Sequence, residues 1–150
     1  MAAHKEDSMG KISVGRVALG GIAGGCAIMG AHIAGGYEVV QAGRETAIMV
    51  SVGSVHGFWG HASEFVLGFL VSWLYAAIRP RLGAGPRTAI VAGLVAWLIG
   101  YVFPWLRMAP LIPLRWLAGG AVILLWALVG CVVAGWLAGW IYRERGPARR

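Results

Sequence analysis

Residues 116–142 read WLAGGAVILLWALVGCVVAGWLAGWIY and contain no charged side chain. At about 1.5 Å per residue, a helix of this length crosses the roughly 30 Å hydrocarbon core of a bilayer. Three other apolar stretches are also long enough to cross it: residues 13–35, 55–78 and 88–106. Helix is predicted for all four, because isolated strands leave their backbone groups unsatisfied in lipid. The sequence thus predicts an all-α, integral membrane four-helix bundle forming a single domain, with polar tails at residues 1–10 and 143–150.

The overall composition agrees with a membrane environment. Hydrophobic residues make up 59% of the 150 residues and charged residues 13%, against about 45–50% and about 25% in soluble domains. The net charge of +7 is compatible with nucleic-acid binding, but the basic residues lie in short loops and tails beside the apolar stretches. We therefore expect them to meet the lipid bilayer, and we expect no nucleic-acid partner. Cys26 and Cys131 lie inside apolar stretches, where cysteine acts as a small packing residue.

The distribution of Lys and Arg predicts the orientation of the chain. Ten of the thirteen fall on one side of the four stretches. By the positive-inside rule, this side faces the cytoplasm and both termini are cytoplasmic. The predicted protein crosses its membrane several times. The basic residues expected to meet lipid headgroups on the cytoplasmic side are Arg79, Arg81, Arg87, Arg143 and Arg145.

Three connecting segments carry separate expectations. Residues 79–87 form a tight turn whose prolines and glycines end one helix and start the next. In residues 37–54 we expect a short helix on the outer face, followed by a break at Gly53 or Gly57. Residues 104–113 contain three prolines, which predicts a rigid, non-helical outer cap.

The turn also lies in a longer segment, residues 73–89, that reads WLYAAIRPRLGAGPRTA. This segment resembles one that recurs in an uncharacterised family of small bacterial four-span inner-membrane proteins. The resemblance covers these seventeen residues closely and the four-span layout loosely. It implies a bacterial inner-membrane protein and no particular activity.

Small residues repeat at four-residue spacing in several of the predicted helices. Such ladders form flat grooves in which a second helix approaches closely, and in lipid this packing drives helix association. The grooves could serve only the internal bundle, or one of them could face another subunit. The candidate packing residues are Gly20, Gly24, Ala27, Ala31, Gly60, Gly68, Ala96, Gly100, Gly135 and Gly139.

A group of polar residues is predicted inside the hydrocarbon near the outer leaflet. Glu64 and His61 share a helix face because they are three residues apart. His56 lies one to two turns further out and His32 lies at the outer end of the first stretch, so the four side chains could converge near the outer surface of the bundle. Three explanations remain open. The group could be a buried hydrogen bond that holds helices in register, with His61 or Tyr101 as the partner of Glu64. It could be a metal site, with haem as a variant, or a path for protons or ions.

These patterns lead to two functional hypotheses. The leading one is a non-catalytic scaffold or accessory subunit that packs through its Gly/Ala faces against itself or a larger membrane complex. The alternative is a metal-, haem- or proton-handling protein that uses Glu64, His61, His56 and His32. The sequence contains no nucleotide-binding loop, no nucleophile paired with a base and no zinc-protease motif, so we expect no enzymatic activity. We also expect no cofactor, unless the polar group holds a metal or haem.

Overall fold

The computed structural model describes residues 12–41, 55–111 and 114–142, and it confirms the all-α prediction. The side chains of residues 38–41, 55–57 and 114–116 are not described. Within these ranges the structure contains five α-helices and no strand. The helices are α1 (Val14–Gln41), α2 (Val55–Leu82), α3 (Pro86–Trp97), α4 (Phe103–Met108) and α5 (Leu114–Ile141). A π-helical turn, Leu98–Val102, joins α3 to α4, and a 3₁₀ turn, Ala109–Leu111, follows α4.

Four helical segments are long and apolar enough to cross a membrane. These segments are Val14–Tyr37, Phe58–Leu82, Pro86–Leu111 and Leu117–Ile141. Each of them overlaps one of the predicted spans, and the third consists of α3, the π-helical turn, α4 and the 3₁₀ turn. The chain is thus compatible with a multi-pass membrane protein. The cytoplasmic location of both termini remains a prediction.

The helices form a four-membered ring in which α1 and α5 make the most extensive contact. Helix α1 also packs along α2, while α3 packs on α5 and on α2. Small side chains dominate the shared core, and the largest residues in it are Tyr75, Tyr142, Ile28 and Val71. The backbones of neighbouring helices can therefore approach closely, as they do where small residues line membrane helix contacts.

The closest approaches involve glycine. A Cβ atom added to Gly68 of α2 would overlap the backbone of Gly21 and Gly25 in α1. A Cβ added to Gly135 of α5 would overlap the carbonyl group of Ala89 in α3. No other residue type fits at these two positions without moving a helix, so they fix the spacing of α1 from α2 and of α3 from α5.

Most of the predicted ladder residues lie within the bundle. Gly20, Gly24, Gly68, Ala96 and Gly135 are buried, and Ala27, Ala31, Gly100 and Gly139 are half-buried. Gly60 is exposed, and a Cβ there would meet no described atom within 4 Å. The ladders thus supply the contacts inside one chain, and most of their residues leave no small-residue groove on its surface.

The turn between α2 and α3 differs in part from expectation. Helix α2 continues through Pro80 and ends at Leu82, because the change of direction occurs at Gly83, whose φ of 81° lies in the left-handed region. The Gly83 N–H donates to the Arg79 carbonyl at 2.8 Å. Pro86 begins α3 as predicted, since its missing N–H needs no partner in a first helical turn. The Thr88 hydroxyl closes the turn by donating to the Gly83 carbonyl at 2.6 Å.

The prediction of a non-helical cap over residues 104–113 is wrong for the described residues 104–111. Residues 103–108 are α-helical and residues 109–111 form a 3₁₀ turn. The π-helical turn just before Pro104 explains this continuation. There the Phe103 N–H donates to the Leu98 carbonyl, five residues back, and this wider turn relieves the clash that a proline ring makes with the preceding turn.

The expectations for residues 37–54 are corrected at both ends. Helix α1 extends to Gln41, beyond the predicted end at residue 35. Helix α2 begins at Val55 and has no break at Gly57. The predicted short helix and the break at Gly53 fall in residues 42–54, outside the described residues.

Substitution of Gly68 by Leu tests the close contact of α1 and α2. The new side chain would force the two backbones apart, and we expect the free energy of unfolding to fall by about 1–3 kcal/mol or more. Reversible unfolding in a detergent mixture, followed by circular dichroism, measures this change. Gly60→Leu, on the same helix at an exposed position, is the matched control and should be nearly neutral. Equal stability of the two variants would contradict this packing.

Candidate functional site

Glu64 lies between two histidines within the membrane-spanning part of the bundle. Its Oε1 atom is 2.5 Å from Nδ1 of His32, and its Oε2 atom is 3.3 Å from Nδ1 of His61. Each carboxylate oxygen therefore has its own imidazole partner. His32 is supplied by α1, whereas His61 and Glu64 are three residues apart on α2. We call these three residues the Glu64 cluster.

Helix geometry explains why these side chains meet. The Gly68 contact places α2 against Gly21 and Gly25 of α1. His32 lies two helical turns beyond Gly25, and Glu64 lies one turn before Gly68. Side chains on a helix lean towards its N-terminus. Since α1 and α2 are antiparallel neighbours, the two side chains lean towards each other.

Burial differs sharply among the three side chains. The Glu64 side chain is 3% exposed, against 39% for His32 and 28% for His61. The carboxylate is the enclosed centre of the cluster, and the imidazoles lie between it and the outside of the bundle.

Tyr101, on the π-helical turn, lies beside His32. The two ring centroids are 6.0 Å apart and the planes meet at 75°, an edge-to-face contact. The Tyr101 hydroxyl is buried and has no hydrogen-bond partner among the described residues. The hydrogen bond from Tyr101 to Glu64, one of the options left open by the sequence, does not form, and His32 provides the closest contact to Glu64 instead.

An open cleft of 420 Å³ leads to His32 and Tyr101. Its walls are otherwise apolar and come mainly from α4, the 3₁₀ turn and α5. They include Trp105, Met108, Leu111, Ile123 and Leu124. The Trp105 ring packs against Gly120, where an added Cβ would overlap it, and the Trp97 Nε1–H donates to the Leu124 carbonyl at 2.9 Å. The cleft thus gives His32 an opening to the surface.

This cleft has no counterpart among the predictions from the sequence. Residues 103–111 form part of its walls because they are helical, whereas the prolines of this segment predicted a non-helical structure. The one available signal was Pro104, since a proline within an apolar helical stretch often follows a π-helical turn or a kink.

The cluster can hold a proton in several places. An ionised Glu64 accepts hydrogen bonds from the Nδ1–H groups of His32 and His61. One proton shared among the three side chains makes the cluster neutral overall, whether the carboxylate or an imidazole carries it, and a neutral cluster costs less to desolvate than a charged one. Addition or loss of a proton changes the net charge of the cluster and therefore the desolvation cost of keeping it inside the bundle.

A metal-binding role receives less support from the geometry. Among the described residues, no group of three or more His, Cys, Asp or Glu side chains is arranged to hold a metal ion. A haem between His32 and His61 would have to displace the Glu64 carboxylate that bridges them. The remaining candidate ligand, His56, lies in the first turn of α2, and its side chain is not described.

The predicted headgroup-binding arginines are at the opposite end of the bundle. Arg79 and Arg81 lie in the last turn of α2, and Arg87 follows the first residue of α3. Arg81 and Arg87 are exposed and Arg79 is half-buried. Arg143 and Arg145 fall outside the described residues.

Comparison with known proteins identified no matching family model, curated protein or solved structure. The similarity of residues 73–89 to a family of small bacterial membrane proteins therefore stays a prediction.

A double-mutant cycle measures the contact between His32 and Glu64. We expect His32→Ala and Glu64→Gln each to lower the free energy of unfolding by about 1–3 kcal/mol, because each leaves a partly buried polar group without its partner. The double variant should lose less than the sum of the two, with a coupling of at least about 0.5 kcal/mol. Ser63→Ala, at an exposed neighbouring position, is the control. Strict additivity would show that the two side chains do not interact.

Proposed function

We propose that this protein is a non-catalytic, multi-pass protein of a bacterial inner membrane that takes up and releases protons at the Glu64 cluster. In this proposal both termini face the cytoplasm and the cluster lies near the outer face. The observation that carries the proposal is the enclosed Glu64 carboxylate, each oxygen of which faces a separate imidazole.

The membrane makes an ionisable side chain such as Glu64 costly to bury. An ionised carboxylate in the hydrocarbon region costs at least a few kcal/mol, so such groups are rare, paired and commonly functional. A single hydrogen bond between helices could be made by an uncharged pair such as Asn and Ser. Here three titratable side chains converge instead, and two of them are imidazoles, the side chains best suited to exchange protons near neutral pH.

The surroundings of the Glu64 cluster favour proton exchange with one side of the membrane. His32 and His61 are partly exposed, and the cleft opens next to His32. Towards the other end, every α2 residue from Phe65 to Val71 is apolar or glycine, and Gly68 is packed tightly against α1. The next polar residue of α2 is Ser72, which is buried and has no hydrogen-bond partner among the described residues. We therefore favour reversible proton binding from one side over conduction across the membrane.

Infrared difference spectroscopy tests this proposal directly. On acidification of the purified protein, we expect a change in the carboxyl stretching band that is absent in Glu64→Gln. Changes in the imidazole bands should be reduced in His32→Ala. Arg107→Gln, an exposed change on α4, is the control and should retain the full spectrum. Wild-type spectra that do not change with pH at the Glu64 band would rule out proton binding at this site.

Proteoliposomes distinguish binding from conduction. With an imposed pH gradient and a pH-sensitive dye inside, one-sided binding predicts no faster dissipation than in empty vesicles. Dissipation that requires Glu64 would show that protons cross the bundle, and it would replace the one-sided proposal with a transport function.

The accessory-subunit hypothesis remains a separate proposal. Most of the Gly/Ala faces on which it was based pack inside the bundle, and of its candidate residues Gly60 is the one that is exposed. The native mass spectrum of the protein extracted from its own membrane in mild detergent tests it. A second polypeptide or a defined homo-oligomer is the expected result for an accessory subunit, and a single chain would contradict that role.

A further inference from the structure

A second concave surface lies at the end of the bundle opposite the Glu64 cluster. It is an open groove of 550 Å³, within the range of ligand sites in proteins. Its walls come from α2, the turn between α2 and α3, the start of α3, and α5. They include Tyr75, Pro86, Ala89, Trp136, Gly139 and Trp140.

Small residues form this groove and aromatic residues border it. Gly139 leaves space over the Tyr75 ring, whose nearest atoms would lie 3.3 Å from an added Cβ. Trp136 and Trp140 are 61% and 68% exposed, and exposed tryptophans are typical of the membrane–water boundary. Tyr142 packs against Tyr75 with ring centroids 5.9 Å apart. A long, flexible apolar chain could lie in such a groove.

Two exposed arginines flank one wall of the groove along the chain. Arg81 and Arg87 are exposed, and they precede and follow residues 84–86, which form one wall of the groove. Tyr142 also lines the groove; burial raises its pKa, and the charges of Arg16 and Arg79 act in the opposite direction. The Tyr142 hydroxyl remains protonated and donates to the Ser13 carbonyl at 3.1 Å, which ties the start of α1 to this end of the bundle.

We propose that this groove binds one anionic phospholipid, with an acyl chain along the apolar walls and the headgroup phosphate held by Arg81 and Arg87. Lipid tails gain little when they leave one apolar environment for another. The apolar walls alone would therefore not select an occupant. Electrostatic attraction to the arginines supplies the preference for an anionic headgroup, and the shape of the groove limits the site to one lipid.

Native mass spectrometry of the full-length protein in mild detergent tests the proposal. The probes are phosphatidylglycerol and phosphatidylcholine with identical acyl chains. We expect one bound phosphatidylglycerol per chain, retained roughly tenfold or more over phosphatidylcholine. The paired change Arg81→Gln and Arg87→Gln should abolish this preference. Arg107→Gln, at the other end of the bundle, is the control and should preserve it.

A second variant tests the groove itself. Gly85 has an extended φ of 169° and borders the groove, and an added Cβ there would meet no described atom within 4 Å. Gly85→Leu should fold normally and should reduce phosphatidylglycerol retention severalfold, because its side chain occupies space that the acyl chain needs. Gly30→Leu, at an exposed position on α1, adds the same side chain elsewhere and should leave retention unchanged.

Three outcomes would overturn the proposal. The first is an anionic preference that survives loss of both arginines, and the second is full retention in Gly85→Leu. The third is displacement of the lipid by glycerol 3-phosphate, which carries the phosphate without acyl chains and would identify a site for free phosphate esters. Glu64→Gln should retain the lipid fully, so failure here is distinguishable from failure of the proton-binding proposal.

Discussion

The approach of α1 and α2 at Gly68 is the contact on which the rest of the structure depends. Because the Gly68 backbone lies directly against Gly21 and Gly25, the two helices come close enough for side chains on one to reach the other. His32 and Glu64 meet as a result, across a helix pair with no loop contribution in the described residues. Helix α5 packs along α1 through contacts of its own, where Gly130 lies against Ile28 and Ala31, and this completes the ring.

The two ends of the bundle have different chemistry. At one end, titratable residues enclose a carboxylate and an open cleft leads to one of the imidazoles. At the other end, aromatic residues and arginines surround an apolar groove. Between them, the described core is made of small apolar residues, with Ser72 as an unpartnered polar group. This division favours two independent sites over a continuous path, because protons need polar groups or water along the whole of their route.

The sequence correctly predicted the membrane helices, but it did not predict how the chain accommodates two of its prolines. The uncharged run over residues 116–142 requires a membrane helix, since only an α-helix satisfies every backbone group within one segment in lipid. The predictions based on Pro80 and Pro104 were wrong, because whether a proline ends a helix depends on the hydrogen bonds around it. Pro80 is accommodated in the last turn of α2, and Pro104 follows a π-helical turn. Local propensity alone does not reveal either arrangement.

The sequence by itself determined the helical class, the number of apolar segments, and the group of polar residues that includes His32, His61 and Glu64. These properties follow from hydrophobic run length and from helical spacing. The tertiary structure decided which imidazole contacts which oxygen and which way the glycine ladders face. It also decided that residues 103–111 help to form the cleft. Lipid and protein neighbours are equally apolar, so hydrophobicity does not distinguish an inward helix face from an outward one, and only packing of the complete chain makes that choice.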